Sequence, residues 1–252
     1  MENKLSEVMP GNSEKASESR FVPIRFPSWF VPVTLLLACT YPYVGEQLVT
    51  ACAEIFYPPP HGKMFPPPEY LTAVTHAMTI NTAIGYGLCG ALFFLLLGIV
   101  IGATKGAGYI LRGALFGAIV GLLLTGAAAW LGRQIENNLL QEDIDGMLRA
   151  ALVLSTVFVA YALAGGLVVR LGGLRRIAIG RTLGLSIVMG LLGITAYILI
   201  AAIFIPMGWI EGMHPTEMSI RYLYFTCLNL SAVFSTYASL GSLSSEASPA
   251  VA

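Results

Sequence analysis

The sequence predicts an all-α polytopic membrane bundle of about six helices. Three observations carry this. Of 252 residues, 56% are hydrophobic and only 11% are charged, whereas a water-soluble domain carries about 25% charged residues. Four apolar runs are each long enough for the roughly 20 residues that cross about 30 Å of hydrocarbon. Basic residues also alternate between the loops as the positive-inside rule requires.

Residues 1–25, "MENKLSEVMPGNSEKASESRFVPIR", mix four acidic and four basic residues with Ser, Gly, Asn and Pro. This composition buries no apolar surface and predicts a disordered cytoplasmic tail. The leader is too long and too acidic for a cleavable signal, although Leu36–Cys39, "LLAC", loosely resembles a lipoprotein cleavage box. An ordinary first span is favoured. The bundle is expected over 26–243, followed by a short flexible tail at 244–252.

Span one covers Ser28–Leu48. It is the weakest apolar run, because it holds Pro32, Pro42 and Glu46. Glu46 is the only acid inside a predicted span. A carboxylate in hydrocarbon is costly, which makes Glu46 a functional candidate with Gln47 beside it. A span ending at Gly45 would instead put Glu46 at the outer headgroup boundary, and that placement is slightly favoured.

The loop that follows, "FYPPPHGKMFPPPEY" (56–70), sets two triple-proline blocks around a basic centre. Polyproline is stiff and extended and exposes its carbonyls. Pro58, Pro59, Pro60, His61, Lys63, Pro66, Pro67 and Pro68 therefore form a candidate docking loop for a partner. A rigid spacer over the bundle mouth fits equally well.

Spans two and three run Met78–Ala103 and Tyr109–Gly132 and are joined by "TKGAGY" as an antiparallel hairpin. Glycine inside a helix normally weakens it by about 1 kcal/mol relative to alanine. Gly98, Gly102 and Gly106 nevertheless recur every four residues, as do Gly113, Gly117 and Gly121. In lipid, helices associate by close contact, and small residues let backbones approach. These seams are expected to face each other or span five. Intrachain packing is preferred over an oligomer seam or a channel wall.

Span four runs Met147–Val169, with Ala160 and Ala164 as a weaker small-residue pair. Span five runs Thr182–Met207, with a third set that includes Gly184 and Gly190. An offset of 69 residues aligns Arg112 with Arg181 and Gly121 with Gly190, though runs rich in Gly and Leu also align by chance. Span six, Tyr222–Leu243, has no charge. It carries Ser231, Ser235 and Ser239 at four-residue spacing, as a polar path or a close-packing stripe.

With the N-terminus inside, ten basic residues fall inside: Lys4, Lys15, Arg20, Arg25, Lys105, Arg112, Arg170, Arg175, Arg176 and Arg181. Four fall outside: Lys63, Arg133, Arg149 and Arg221. Both chain ends are thus expected in the cytoplasm, and the chain in a bacterial inner membrane. Trp29, Trp130 and Trp209 each fall at a predicted span end, where an indole suits the headgroup zone.

Several function classes are disfavoured. Zero net charge without a basic block argues against nucleic-acid binding. No H-E-x-x-H and no Walker loop occurs. "GLSIVMG" (184–190) places Ser186 in a span, but no histidine lies well inside one to act as its base. Cys39, Cys52, Cys89 and Cys227 are scattered, and His61, His76 and His214 lie far apart in sequence, so no metal or cofactor is expected. The expected partners are membrane lipid and other membrane subunits or further copies of the chain. The function expected is non-catalytic, that of a structural, assembly or accessory subunit. The alternative is a small permease or channel with Glu46 and the span-six hydroxyls along its path.

Overall fold

The computed structural model describes residues 26–60, 62, 66–140, 146–172, 179–204 and 218–241. Among these residues every regular element is an α-helix: α1 (Phe30–Cys52), α2 (Pro68–Ala103), α3 (Ala107–Leu139), α4 (Gly146–Leu171), α5 (Ile179–Phe204) and α6 (Met218–Gly241). The helices α2, α3, α5 and the Leu148–Leu171 part of α4 are long and apolar enough to cross a membrane. They mark the chain as a membrane protein.

Helix α4 sits at the centre and touches α2, α3, α5 and α6, while α1 closes the bundle against α2 and α6. Neither α1 nor α6 is among the four strongly apolar helices. Part of their polar side chains turns inward instead, and Thr34, Glu46, Asn229, Ser231, Ser235, Thr236 and Ser239 are all buried. Sequence hydropathy underrates such helices because the bundle, not lipid, surrounds their polar faces.

Several helices outrun the apolar runs that predict them. Helix α2 begins at Pro68, ten residues before Met78. Pro68 is its first residue and Pro67 is extended at ψ 155°, a start that proline's fixed φ favours. At about 1.5 Å per residue its 36 residues span about 54 Å, well beyond the hydrocarbon. Helix α3 continues to Leu139, seven residues past Gly132, and leaves Trp130 within the helix. An apolar run marks the part of a helix suited to lipid, not where the helix stops. Helix α6 starts four residues before Tyr222 and so includes Arg221, which the sequence places in a loop. Trp29 lies just before α1, and Trp209 lies outside the described residues.

The α2–α3 hairpin is the tightest contact in the bundle. A Cβ at Gly98 would come within 3.0 Å of the Gly113 carbonyl oxygen, and one at Gly113 would meet the Gly98 carbonyl just as closely. Gly117 sits against the Phe94 carbonyl, Gly121 against the Gly90 carbonyl, and Gly102 against Tyr109. Thus these glycines face each other across one hairpin rather than span five. Backbone meets backbone, and no side chain fits between.

Two of the expected packing glycines do not pack against a neighbouring helix. Gly106 has φ +120° and nothing within 4 Å of a built Cβ. Its amide bonds the Gly102 carbonyl at 3.2 Å, closing α2 in a conformation that glycine tolerates. Gly184 is exposed with nothing within 4 Å. The buried face of α5 carries Thr182, Ser186, Gly190, Ile194, Tyr197 and Ala201. Gly184 stands two residues from both Thr182 and Ser186, which puts it on the opposite side of the helix.

Gly190 packs on the Val159 backbone as Gly121 packs on Gly90. The same offset of 69 residues separates both members of these pairs. At this level the α4–α5 contact repeats the register of the α2–α3 contact.

Charges divide between the two ends. Among the described residues, Lys105, Arg112, Arg170 and Arg181 cluster at the end with the α2–α3 turn, and no acid joins them. Glu46, Glu54, Glu69 and Glu136 all lie toward the other end, with Arg133, Arg149 and Arg221.

Candidate functional site

Glu46 sits on α1 between Gly45, which packs on the Cys89 side chain, and Val49, which packs on Gly85. The helix continues through Glu46 to Cys52. Its side chain is 7% exposed. A carboxylate so placed must recover from protein the hydrogen bonds it loses from water.

Three donors supply them. Arg221 Nη1 donates to Oε1 at 2.9 Å. Thr50 Oγ1, one turn along α1, donates to the same oxygen at 3.3 Å. Gln47 Nε2 donates to Oε2 at 2.9 Å. Beside the pair, the rings of Tyr43 and Tyr222 stack with centroids 6.4 Å apart and planes inclined by 8°. The arrangement joins α1 to α6 and neutralises Glu46 within the chain.

Pro42 lies one turn below. Proline has no amide hydrogen, so the carbonyl of Ala38, four residues back, loses its helical donor. Asn229 Nδ2 on α6 reaches that carbonyl at 3.5 Å. Asn229 and Arg221 are the residues that sequence reasoning missed. Their signals were a proline vacancy without a local donor and an arginine at the mouth of an otherwise uncharged span.

The serine stripe of α6 faces α4 and α5 in close contact. Ser235 Oγ lies 2.9 Å from Ser186 Oγ. Ser231 Oγ donates to its own helix at the Leu228 carbonyl, 2.7 Å. Gly193 accommodates the Ser231 Cβ, and Gly166 accommodates the Ser186 and Ser239 hydroxyls. Thr236 Oγ1 lies 3.2 Å from the Gly165 carbonyl. Near the start of α1, Thr34 and the Tyr237 hydroxyl bond α1 to α6. The Ser239 hydroxyl, the Tyr197 hydroxyl and Asn229 Oδ1 are buried without a protein partner among the described residues.

The proline loop leaves the bundle beside a clamp. Asn81 on α2 accepts the Phe56 amide at 3.2 Å and donates to the Ala53 carbonyl at 2.8 Å. It thereby fixes the chain just ahead of Pro58. Pro59, Pro60, Pro66 and Pro68 are exposed, and Pro58 and Pro67 are half-buried. His61 and Lys63 lie outside the described residues, as do His214 and the acids of 141–145. Cys52, Cys89 and Cys227 are buried, and Cys39 is exposed on α1. Comparison with family models, curated proteins and solved structures finds no match for this chain.

Proposed function

We propose that the chain is a non-catalytic accessory or assembly subunit of a membrane complex. One observation carries this reading. The chain satisfies its charge inside the bundle by pairing Glu46 with Arg221, and most span-six hydroxyls pack against glycines or bond a neighbour. The interior is built as scaffold. What remains for recognition is the proline loop held by Asn81 and the outward faces of the helices.

The proposed topology has six spans with both termini in the cytoplasm of a bacterial cell. The acid-free cluster of Lys105, Arg112, Arg170 and Arg181 supports the cytoplasmic placement of that end. The test is crosslinking from Lys63 in native membranes. Capture of one partner in fixed stoichiometry supports the subunit reading, and absence of any protein crosslink opposes it.

A second reading, a small permease, draws on the unpartnered buried polar atoms of Tyr197, Asn229 and Ser239. Solute flux in liposomes holding the pure chain, lost in Glu46→Gln, would establish it in place of the first.

A further inference from the structure

We infer that two copies of this chain associate through the outward face of α1, with Gln47 of each copy hydrogen-bonded to Gln47 of the other. The inference goes beyond the subunit reading and needs no foreign partner.

The helices that face outward differ in kind. Helix α3 exposes Leu111, Leu115 and Leu122, and α5 exposes Leu183, Ile187 and Leu191. Lipid tails satisfy such surfaces. Helix α1 exposes Leu36, Thr40, Tyr43, Gln47 and Thr50. Their spacing alternates four and three residues, which keeps them on one stripe and matches the seam of a left-handed helix pair. Four of the five are polar or carry a hydroxyl.

Depth makes this stripe costly in lipid. Counting about 20 residues up α2 from Ala103 places the outer hydrocarbon boundary near Ala83. Gln47 lies between Gly45, which is level with Cys89, and Val49, which is level with Gly85. It is therefore on the hydrocarbon side of that boundary, and Tyr43 and Thr40 are deeper. Thr40 satisfies itself on the Leu36 carbonyl at 2.8 Å, and Thr50 bonds Glu46. Gln47 does not close its own set. Its bond to Glu46 uses one of two amide hydrogens, and the second hydrogen and the Oε1 acceptor remain on an exposed side chain. Hydrocarbon offers neither donor nor acceptor.

A second copy fits better than a charged partner. Glu46 already has Arg221, so the face asks for no opposite charge. A primary amide holds both a donor and an acceptor, so two of them bond reciprocally across a two-fold axis. Glutamine is among the side chains that bond helix to helix in membranes. Tyr43, braced on Tyr222, adds a flat ring to the same stripe.

The experiment uses the full chain in liposomes at decreasing protein-to-lipid ratios. Cys39→Ser removes the exposed native thiol, while Cys52, Cys89 and Cys227 stay buried. Oxidation should give a dimer-sized band from Thr40→Cys and from Gln47→Cys, and none from Gly184→Cys on α5. Thr40→Cys keeps the Gln47 amide, so this arm does not depend on its loss. With fluorescent labels, Gln47→Leu should raise the ratio at half-association about threefold to thirtyfold. A monomer at every dilution overturns the proposal. So does a dimer that crosslinks through α5 alone, or one indifferent to Gln47→Leu. Lys63 crosslinking to a foreign subunit is read separately, so the subunit reading and this one can fail independently.

Discussion

Arg221 on α6 donates to Glu46 on α1 across 2.9 Å, from 175 positions further along the sequence. Removing the arginine strands a buried carboxylate. Arg221→Met should therefore destabilise the chain by about 3–5 kcal/mol. Adding Glu46→Gln removes the stranded charge and should restore most of that loss. Thermal unfolding in detergent measures both, and an Arg221→Met chain as stable as the native one would refute the account of this contact.

Where two backbones touch, any side chain is too large. Gly117→Leu drives a branched side chain into the Phe94 carbonyl. It should cost about 3 kcal/mol, the upper end for overpacking. Gly184→Leu adds an apolar group into open space on α5 and removes a mid-helix glycine, so it should hold the midpoint of unfolding or raise it by a few degrees. Equal losses in both would show that the two glycines do not differ in packing.

Asn81 ties the end of α1 to α2 through two hydrogen bonds. Asn81→Ala should cost about 1–3 kcal/mol, because the Phe56 amide and Ala53 carbonyl lose their partner. The stretch from Ile55 to Pro60 should then loosen. Limited proteolysis with a protease that cleaves after aromatic residues should cut after Phe56 faster than in the native chain, the bond after Tyr57 being protected by Pro58.

Ser186 and Ser235 form a hydroxyl pair in the α5–α6 contact. A double-mutant cycle with alanine at each should give a coupling of about 0.6 kcal/mol, the average for such bonds in membranes. Additive single effects would mean that the two hydroxyls do not act together.

Much of the architecture is legible in the sequence, for identifiable reasons. Apolar runs reveal helices α2 to α5, because a lipid-facing or centrally buried helix is apolar around much of its surface. The same signal fails at Pro68–Ala77 and at Arg133–Leu139, where helix persists without apolar composition. Glycine spacing at 98, 102, 113, 117 and 121 is visible in the chain, and its antiparallel pairing follows from a short turn. The facing of α5 is not visible. Gly180 and Gly184 present as good a small-residue pattern as Ser186 and Gly190, and only the neighbouring helices decide which side is covered. The Glu46 site was half legible. An acid in a span announces itself, but its cation comes from α6, and one sequence carries no sign of contacts between distant helices.

The turn at Thr104–Gly106 also bears on the order in which the bundle is built. Helices α2 and α3 make their backbone contacts with each other, so both halves of that interface leave the ribosome within one short interval. The pair can zip shut while later segments are still being synthesised. Nascent α4 would then meet a finished two-helix wall, and the choice of neighbour is reduced to the side of that wall on which it lands.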